Sequence, residues 1–222
     1  MTKGETMETI VESGSATIPY RALKACAGLV GAETARFVLN AVQVQFMDNG
    51  EAWRVEACDG KHLLRVQDSE LNRPGDWDRT YLITADLING AMKVGKNDRL
   101  TLIPTESARA LRFLTMKRGE GTIRTEEGTF PLTSQIVPAV DLENSEGATI
   151  QGIDPLRFSK LLRAVSDAAG SPYKVHHTAR FQSCKVTTPA HSDTKSHGPM
   201  LITLAGDDCH VTAVLMPCLL DD

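Results

Sequence analysis

The chain has 222 residues, 41% hydrophobic and 23% charged, enough for one large domain or two small ones with packed cores. A net charge of -4 advertises no global affinity for nucleic acid and leaves any such surface to local clusters of Lys and Arg. Five Cys without C-x-x-C pairing read as reduced thiols of a cytoplasmic protein, and no apolar run approaches the ~18 residues of a membrane span or forms a signal-peptide core.

Residues 1–16 read as a tail, with a first strand beginning around Ser15-Ala-Thr-Ile18. Pro19 suits a first helical turn, and Leu23, Ala27 and Val30 recur at helical spacing, so a short amphipathic helix is predicted from Pro19 to about Gly31. A β-branched run predicts a strand over Val38–Phe46, and Asp48-Asn49-Gly50 signals a hairpin. Strands follow over Trp53–Ala57 and His62–Val66, with Asp59-Gly60 turning between them. A second unit repeats the pattern: strand Tyr81–Ile83, helix Ala85 to about Val94, then strands over Leu100–Ile103, Ala110–Lys117 and Gly121–Thr125. A third opens with a strand over Ala148–Gln151. Its helix spans Asp154–Ala169, with Asp154 as N-cap, Pro155 at the first helical position and Gly170 as C-cap. Strands near Lys174–Thr178, Phe181–Thr187, Met200–Leu204 and His210–Cys218 complete it, with Asp207-Asp208 as a hairpin turn. Strand, helix and strands thus recur three times, an α+β pattern.

Two distant segments carry a family signal. Cys58-Asp59-Gly60-Lys61-His62-Leu63 resembles the "A-T-D-G-H-R-L" turn of the bacterial sliding DNA clamp family, the beta subunit of DNA polymerase III. Val214 to Leu220 is similar to that family's terminal "V-M-P-M-R-L" strand. The run from Glu127-Gly-Thr-Phe-Pro131 to Gln135-Ile-Val-Pro138 matches its "G-x-F-P-x-x-x-x-(V/I)-(I/L)-P" segment. The resemblance implies a DNA-clamp fold of repeated strand-helix-strands units, with helices on one face of antiparallel sheets. It implies a clamp domain over 17–140, like the family's middle domain, and a shorter clamp-like C-terminal domain over 141–222. It also implies a homo-oligomer that encircles or contacts duplex DNA without sequence preference, raises processivity, and tethers polymerase and clamp-loader peptides.

On that resemblance the peptide groove would use Leu39, Cys58, Gly60, Lys61, His62, Leu63, Pro138, Val214, Met216, Pro217 and Cys218. Cys58 stands where the family has Thr, and Lys61-His62 where it has His-Arg, so a planar Arg fork is missing. Cys218 replaces a second Met. DNA would face the basic residues of the helices: Arg21 and Lys24 on the first, Lys93 and Lys96 on the second, Arg157, Lys160 and Arg163 on the third. Each of these also reads as the solvated face of an ordinary helix. His176, His177, Cys184, His191, His197, Cys209 and His210 crowd the last third, but their spacing fits no zinc signature. No Ser/His/Asp motif or Gly-rich phosphate loop appears, so neither enzyme activity, cofactor nor metal is expected. The competing reading is a clamp-derived peptide-binding adaptor that does not encircle DNA.

Overall fold

The computed structural model describes residues 14–30, 37–47, 52–68, 77, 79–90, 94–95, 98–107, 109–115, 119–137, 154–170, 185–187, 200–205 and 208–215. In chain order the elements are β1 (Ala16–Pro19), α1 (Tyr20–Leu29), a 3-10 turn (Phe37–Asn40), β2 (Ala41–Phe46), β3 (Trp53–Cys58), β4 (His62–Asp68) and β5 (Arg79–Thr84). Then come α2 (Ala85–Gly90), β6 (Arg99–Pro104), β7 (Ala110–Thr115), β8 (Gly119–Arg124) and a second 3-10 turn (Thr133–Gln135). The third unit supplies α3 (Pro155–Ala169), β9 (Lys185–Thr187), β10 (Met200–Ala205) and β11 (Cys209–Leu215).

These strands form two antiparallel sheets, one ordered β1-β6-β7-β8 and one ordered β5-β2-β3-β4-β11-β10-β9. The second sheet crosses the expected 140/141 boundary, because β4 pairs with β11 from His62↔Leu215 to Asp68↔Cys209. Strand alternation sends Val42, Val55, Leu64 and Val211 to one face, where Leu23 of α1, Ile88 of α2 and Leu161 of α3 enter the same core. All three helices therefore pack on one side of the sheets, as a clamp fold requires. Leu23, Leu29, Ile88 and Leu161 are fully buried, and each contributes about 1.5–3 kcal/mol. No helix among the described residues is long and apolar enough to cross a membrane.

Two boundaries of the first unit differ from the sequence reading. Pro19 is not the first helical residue. It still pairs with Arg99 at the end of β1 and caps α1 in an extended conformation, so the helix begins at Tyr20. The strand predicted from Val38 begins only at Ala41, opposite Thr84, because β5 ends there and leaves no partner for the preceding residues. Within the second helix, α2 covers Ala85–Gly90, and residues 91–93 are outside the described set. The third helix has its expected ends: Asp154 accepts from the N–H groups of Leu156 (2.9 Å) and Arg157 (3.3 Å), Pro155 opens it, and Gly170 closes it in the left-handed region. The strands predicted over Ala148–Gln151 and Lys174–Thr178 lie outside the described residues.

Candidate functional site

The sheet face opposite the helices carries an apolar row. Cys58 on β3 pairs with Leu63 on β4, Leu63 with Val214 on β11, and Val214 with Leu201 on β10. Four strands thus place four apolar side chains side by side, although Cys58 and Val214 are far apart in sequence. Ala41, Leu82 and Phe130 join this second cluster, and Ile136 and Val137 pack against it half-buried. Of the groove residues expected from the sequence, Cys58, Leu63 and Val214 come together here. Leu39 is half-buried in the 3-10 turn before β2 and is not among the packed side chains. Pro138, Met216, Pro217 and Cys218 fall outside the described residues.

At one end of the row the chain reverses at Asp59-Gly60-Lys61. Gly60 has φ +83°, which L side chains adopt only under strain, so glycine is required by conformation. Asp59 organises the turn: its Oδ1 accepts the N–H of Lys61 (3.0 Å) and of His62 (2.7 Å), and Nδ1 of His62 lies 2.9 Å from Oδ2. Burial by itself would raise the Asp59 carboxyl, but the hydrogen bonds from His62 and the two backbone N–H groups outweigh it and bring it down to about 2. His62 is 4% exposed, and its Nε2 has no partner among the described residues. Lys61 is exposed. Burial raises the Cys58 thiol, which suits a packing role over a reactive one.

A polar row missed by the sequence reading lies next to the apolar one. Glu56, 1% exposed, pairs with Nε of Arg65 across β3 and β4. Thr133 donates to Glu56 Oε2 at 2.9 Å and accepts from Arg65 Nη2 at 3.1 Å. The buried carboxylate thereby staples the segment carrying Phe130, Ile136 and Val137 over the sheet. The signal was present as an opposite-charge pair on the strand face that alternates away from Val55 and Leu64, but Thr133 is 77 residues from Glu56 and gave no local cue.

The helix cations divide. Arg21 is not a free cation: Nη2 bonds Asp208, Nε donates to the Ala168 carbonyl at 3.2 Å, and the side chain is only 12% exposed. Its expected place on a DNA-facing surface therefore competes with a tertiary role. Lys160 donates to the Leu29 carbonyl at 2.7 Å, at the C-terminus of α1, and lies 3.6 Å from Asp59. Arg157 pairs with Asp154 one turn earlier at 3.2 Å. Lys24 and Arg163 are exposed, and Lys93 and Lys96 lie outside the described residues. Cys209 donates toward the Ala168 carbonyl, and no group of three His, Cys, Asp or Glu among the described residues gathers at metal-holding distance. His176, His177, Cys184, His191 and His197 are outside the described residues.

No family model matches the chain, and no curated protein matches it. Solved structures do. The beta clamp of H. pylori in complex with Diflunisal aligns at a TM-score of 0.61 with 13% identity, covering 96% of this chain and 68% of that one. The DNA polymerase sliding clamp of Pseudomonas aeruginosa gives 0.58 and 13%, covering 98% and 69%. PCNA of A. fulgidus, solved with the C-terminal region of FEN-1 bound, gives 0.53 and 12%, covering 94% and 99%. At this identity the likeness establishes the fold.

Proposed function

We propose that this chain, which has the sliding-clamp fold, is a cytoplasmic, non-enzymatic processivity factor. It contacts duplex DNA through its helix face and holds a short apolar motif of a polymerase or clamp-loader partner on its outer face. One observation carries the reading: Cys58, Leu63 and Val214, nominated from two distant segments, lie in one register row beside the Asp59-Gly60 turn, opposite the helices. The row is buried beneath Phe130, Ile136 and Val137, so in this reading it forms the floor under a groove for a linear motif with apolar anchors. Met216, which directly follows β11, would supply an adaptable wall to such a groove. The test is titration of a labelled polymerase C-terminal peptide against the wild type and Met216→Ala. A central apolar anchor is worth about 2 kcal/mol or more, so the variant should bind roughly tenfold more weakly or worse. Equal binding by the two proteins, or none by either, would refute the groove.

On the helix face, phosphate attraction needs cations that are not committed elsewhere. Changing the exposed Lys24 and Arg163 to Ala should lower the salt slope of DNA binding by roughly two. A second reading is a clamp-derived adaptor that binds peptides without encircling DNA. It is favoured by the intramolecular partners of Arg21, Arg157 and Lys160. Longer residence on circular than on linear DNA selects the first reading, and equal residence selects the second.

A further inference from the structure

The outer face of the seven-stranded sheet carries a second register row, parallel to the apolar one. Thr80 on β5 pairs with Gln45 on β2, Gln45 with Arg54 on β3, Arg54 with Gln67 on β4, and Gln67 with His210 on β11. Strand alternation puts these five on the face of Glu56 and Cys58, opposite the core residues Val55 and Val66. At ~4.8 Å per strand and ~3.3 Å per residue, the row runs about 19 Å from Thr80 to His210 and lies about 13 Å from the apolar row. Every member is polar, none is acidic, and Arg54 is the fixed cation among them. Thr80 and His210 are exposed, whereas Gln45, Arg54 and Gln67 are half-buried.

Arg54 is held ready for an anion that the described residues do not supply. Its Cζ lies 4.7 Å from the Trp77 ring centroid, so the ring covers one face of the guanidinium. Its Nε is sealed from solvent and has no hydrogen-bond partner among the described residues. The carboxylate of Glu56, two residues along β3, is taken by Arg65 and Thr133. Burial and the neighbouring Arg65 guanidinium push Arg54 below its ordinary value, and Glu56 only partly opposes them. A partly desolvated guanidinium without an acceptor costs free energy that an incoming oxyanion would recover. We propose that Arg54, flanked by the amides of Gln45 and Gln67, binds a carboxylate on an extended segment of a partner protein. With Nε sealed, the ligand meets the two Nη groups of the planar fork, which match the two oxygens of a carboxylate. The amides on either side can both donate to and accept from a peptide backbone. A nucleic acid fits less well. A phosphate chain calls for cations repeated along its length, and a single strand calls for a free aromatic platform, but Arg54 already covers a face of Trp77. The inference depends neither on the peptide groove nor on the helix face.

The test is fluorescence anisotropy with the full chain at low salt, with circular dichroism to confirm that each variant folds. The probes are an end-blocked, labelled Ser-Glu-Ser-Glu-Ser-Glu peptide, its Ser-Gln counterpart, and a labelled oligothymidylate of equal charge. The wild type should bind the Ser-Glu peptide roughly tenfold or more tightly than the Ser-Gln peptide. Arg54→Gln should weaken it by roughly tenfold, and Arg54→Lys by nearly as much, because Lys keeps the charge and the stem but loses the fork. Trp77→Leu leaves the charge in place and should weaken it about threefold by releasing the guanidinium. Arg109→Gln removes one charge from an exposed ion pair with Glu127 elsewhere on the surface, and should stay within about twofold of wild type. Equal binding of the Ser-Glu and Ser-Gln peptides by the wild type, or equal losses in Arg54→Gln and Arg109→Gln, would overturn the proposal. So would an oligothymidylate that binds through Arg54 more tightly than the Ser-Glu peptide does.

Discussion

Asp208 joins the third unit to the first, and its removal gives a worked test of what holds the two together. Its Oδ1 accepts from Arg21 on α1 and its Oδ2 from Arg99 on β6 at 2.9 Å. The two pairs are unequal. Arg21 is 12% exposed and Asp208 30%, whereas Arg99 is 49% exposed. An exposed pair contributes ~0–1 kcal/mol and breaking a buried one costs about 3–5 kcal/mol. The Arg21 pair lies between these limits, and the Arg99 pair sits near the lower one. Asp208→Ala should therefore destabilise the fold by about 2–3 kcal/mol, mostly by stranding the Arg21 guanidinium. At about 2–4 °C per kcal/mol for a chain of this size, Tm should fall by roughly 5–10 °C. Double-mutant cycles in urea then separate the partners. Arg21→Gln with Asp208→Asn should couple by about 1–2 kcal/mol, and Arg99→Gln with Asp208→Asn by less than about 0.5 kcal/mol. Only the smaller coupling should vanish in high salt. An Asp208→Ala protein within ~0.5 kcal/mol of wild type, or a larger Arg99 coupling, would refute the reasoning.

Other consequences follow from the same geometry. The Asp59 carboxyl is depressed from 3.8 to about 2, so its contribution is present above about pH 4 and is lost as pH falls toward 2. That shift is worth about 2 kcal/mol, and urea titrations of Asp59→Asn should show a flatter acid limb than wild type over that window. Gly60→Ala and Gly170→Ala both force a side chain into positive φ, but only Gly170 is crowded: a Cβ there would lie 2.6 Å from Nε of Arg21. Gly60→Ala should cost about 1 kcal/mol and Gly170→Ala clearly more, and equal losses in thermal melts would contradict the close approach. Thr133→Val should cost about 1–3 kcal/mol by leaving Glu56 and Arg65 each short of a partner, as read from the urea midpoint.

Strand positions were legible because alternation is a local signal, and the Asp154-Pro155 start and Gly170 stop of α3 were legible because capping is chemistry confined to one turn. The start of β2 was not, since Val38 and Leu39 have strand-like residues but no strand beside them. Arg21 and Lys160 illustrate the larger limit. Helical spacing placed them on a polar stripe, yet their partners, Asp208 and the Leu29 carbonyl, lie 187 and 131 residues away. Periodicity reports which face a side chain leaves from and says nothing of what tertiary folding brings to meet it. In the apolar row the same limit hid Phe130 and Leu201. The sequence placed their segments, but only the register between β10 and β11 puts Leu201 next to Val214.

The apolar row is also a property of the joint between units, so a peptide held there, as proposed, would couple binding to folding. Leu63 belongs to β4 and Val214 to β11, so they face each other only while those strands pair. A slip of one residue would turn Val214 to the helix side, and a slip of two would move it opposite Lys61 or Arg65, away from Leu63. A peptide lodged on the row would then bind the joined state alone, and its affinity would scale with the fraction of molecules in that state. Reciprocally, saturating peptide should raise the stability of the joint by the linkage relation, about 2.7 kcal/mol at a hundredfold excess over Kd. The ion pairs of Asp208 and the capping of the α1 C-terminus by Lys160 hold this same joint from the helix side. Asp208→Ala therefore touches no residue of the row, yet should weaken the peptide by the factor by which it depopulates the joined state. If peptide affinity is unchanged in a variant or at a urea concentration where hydrogen exchange shows β11 open in about half of the molecules or more, the row works without the joint and the coupling is absent.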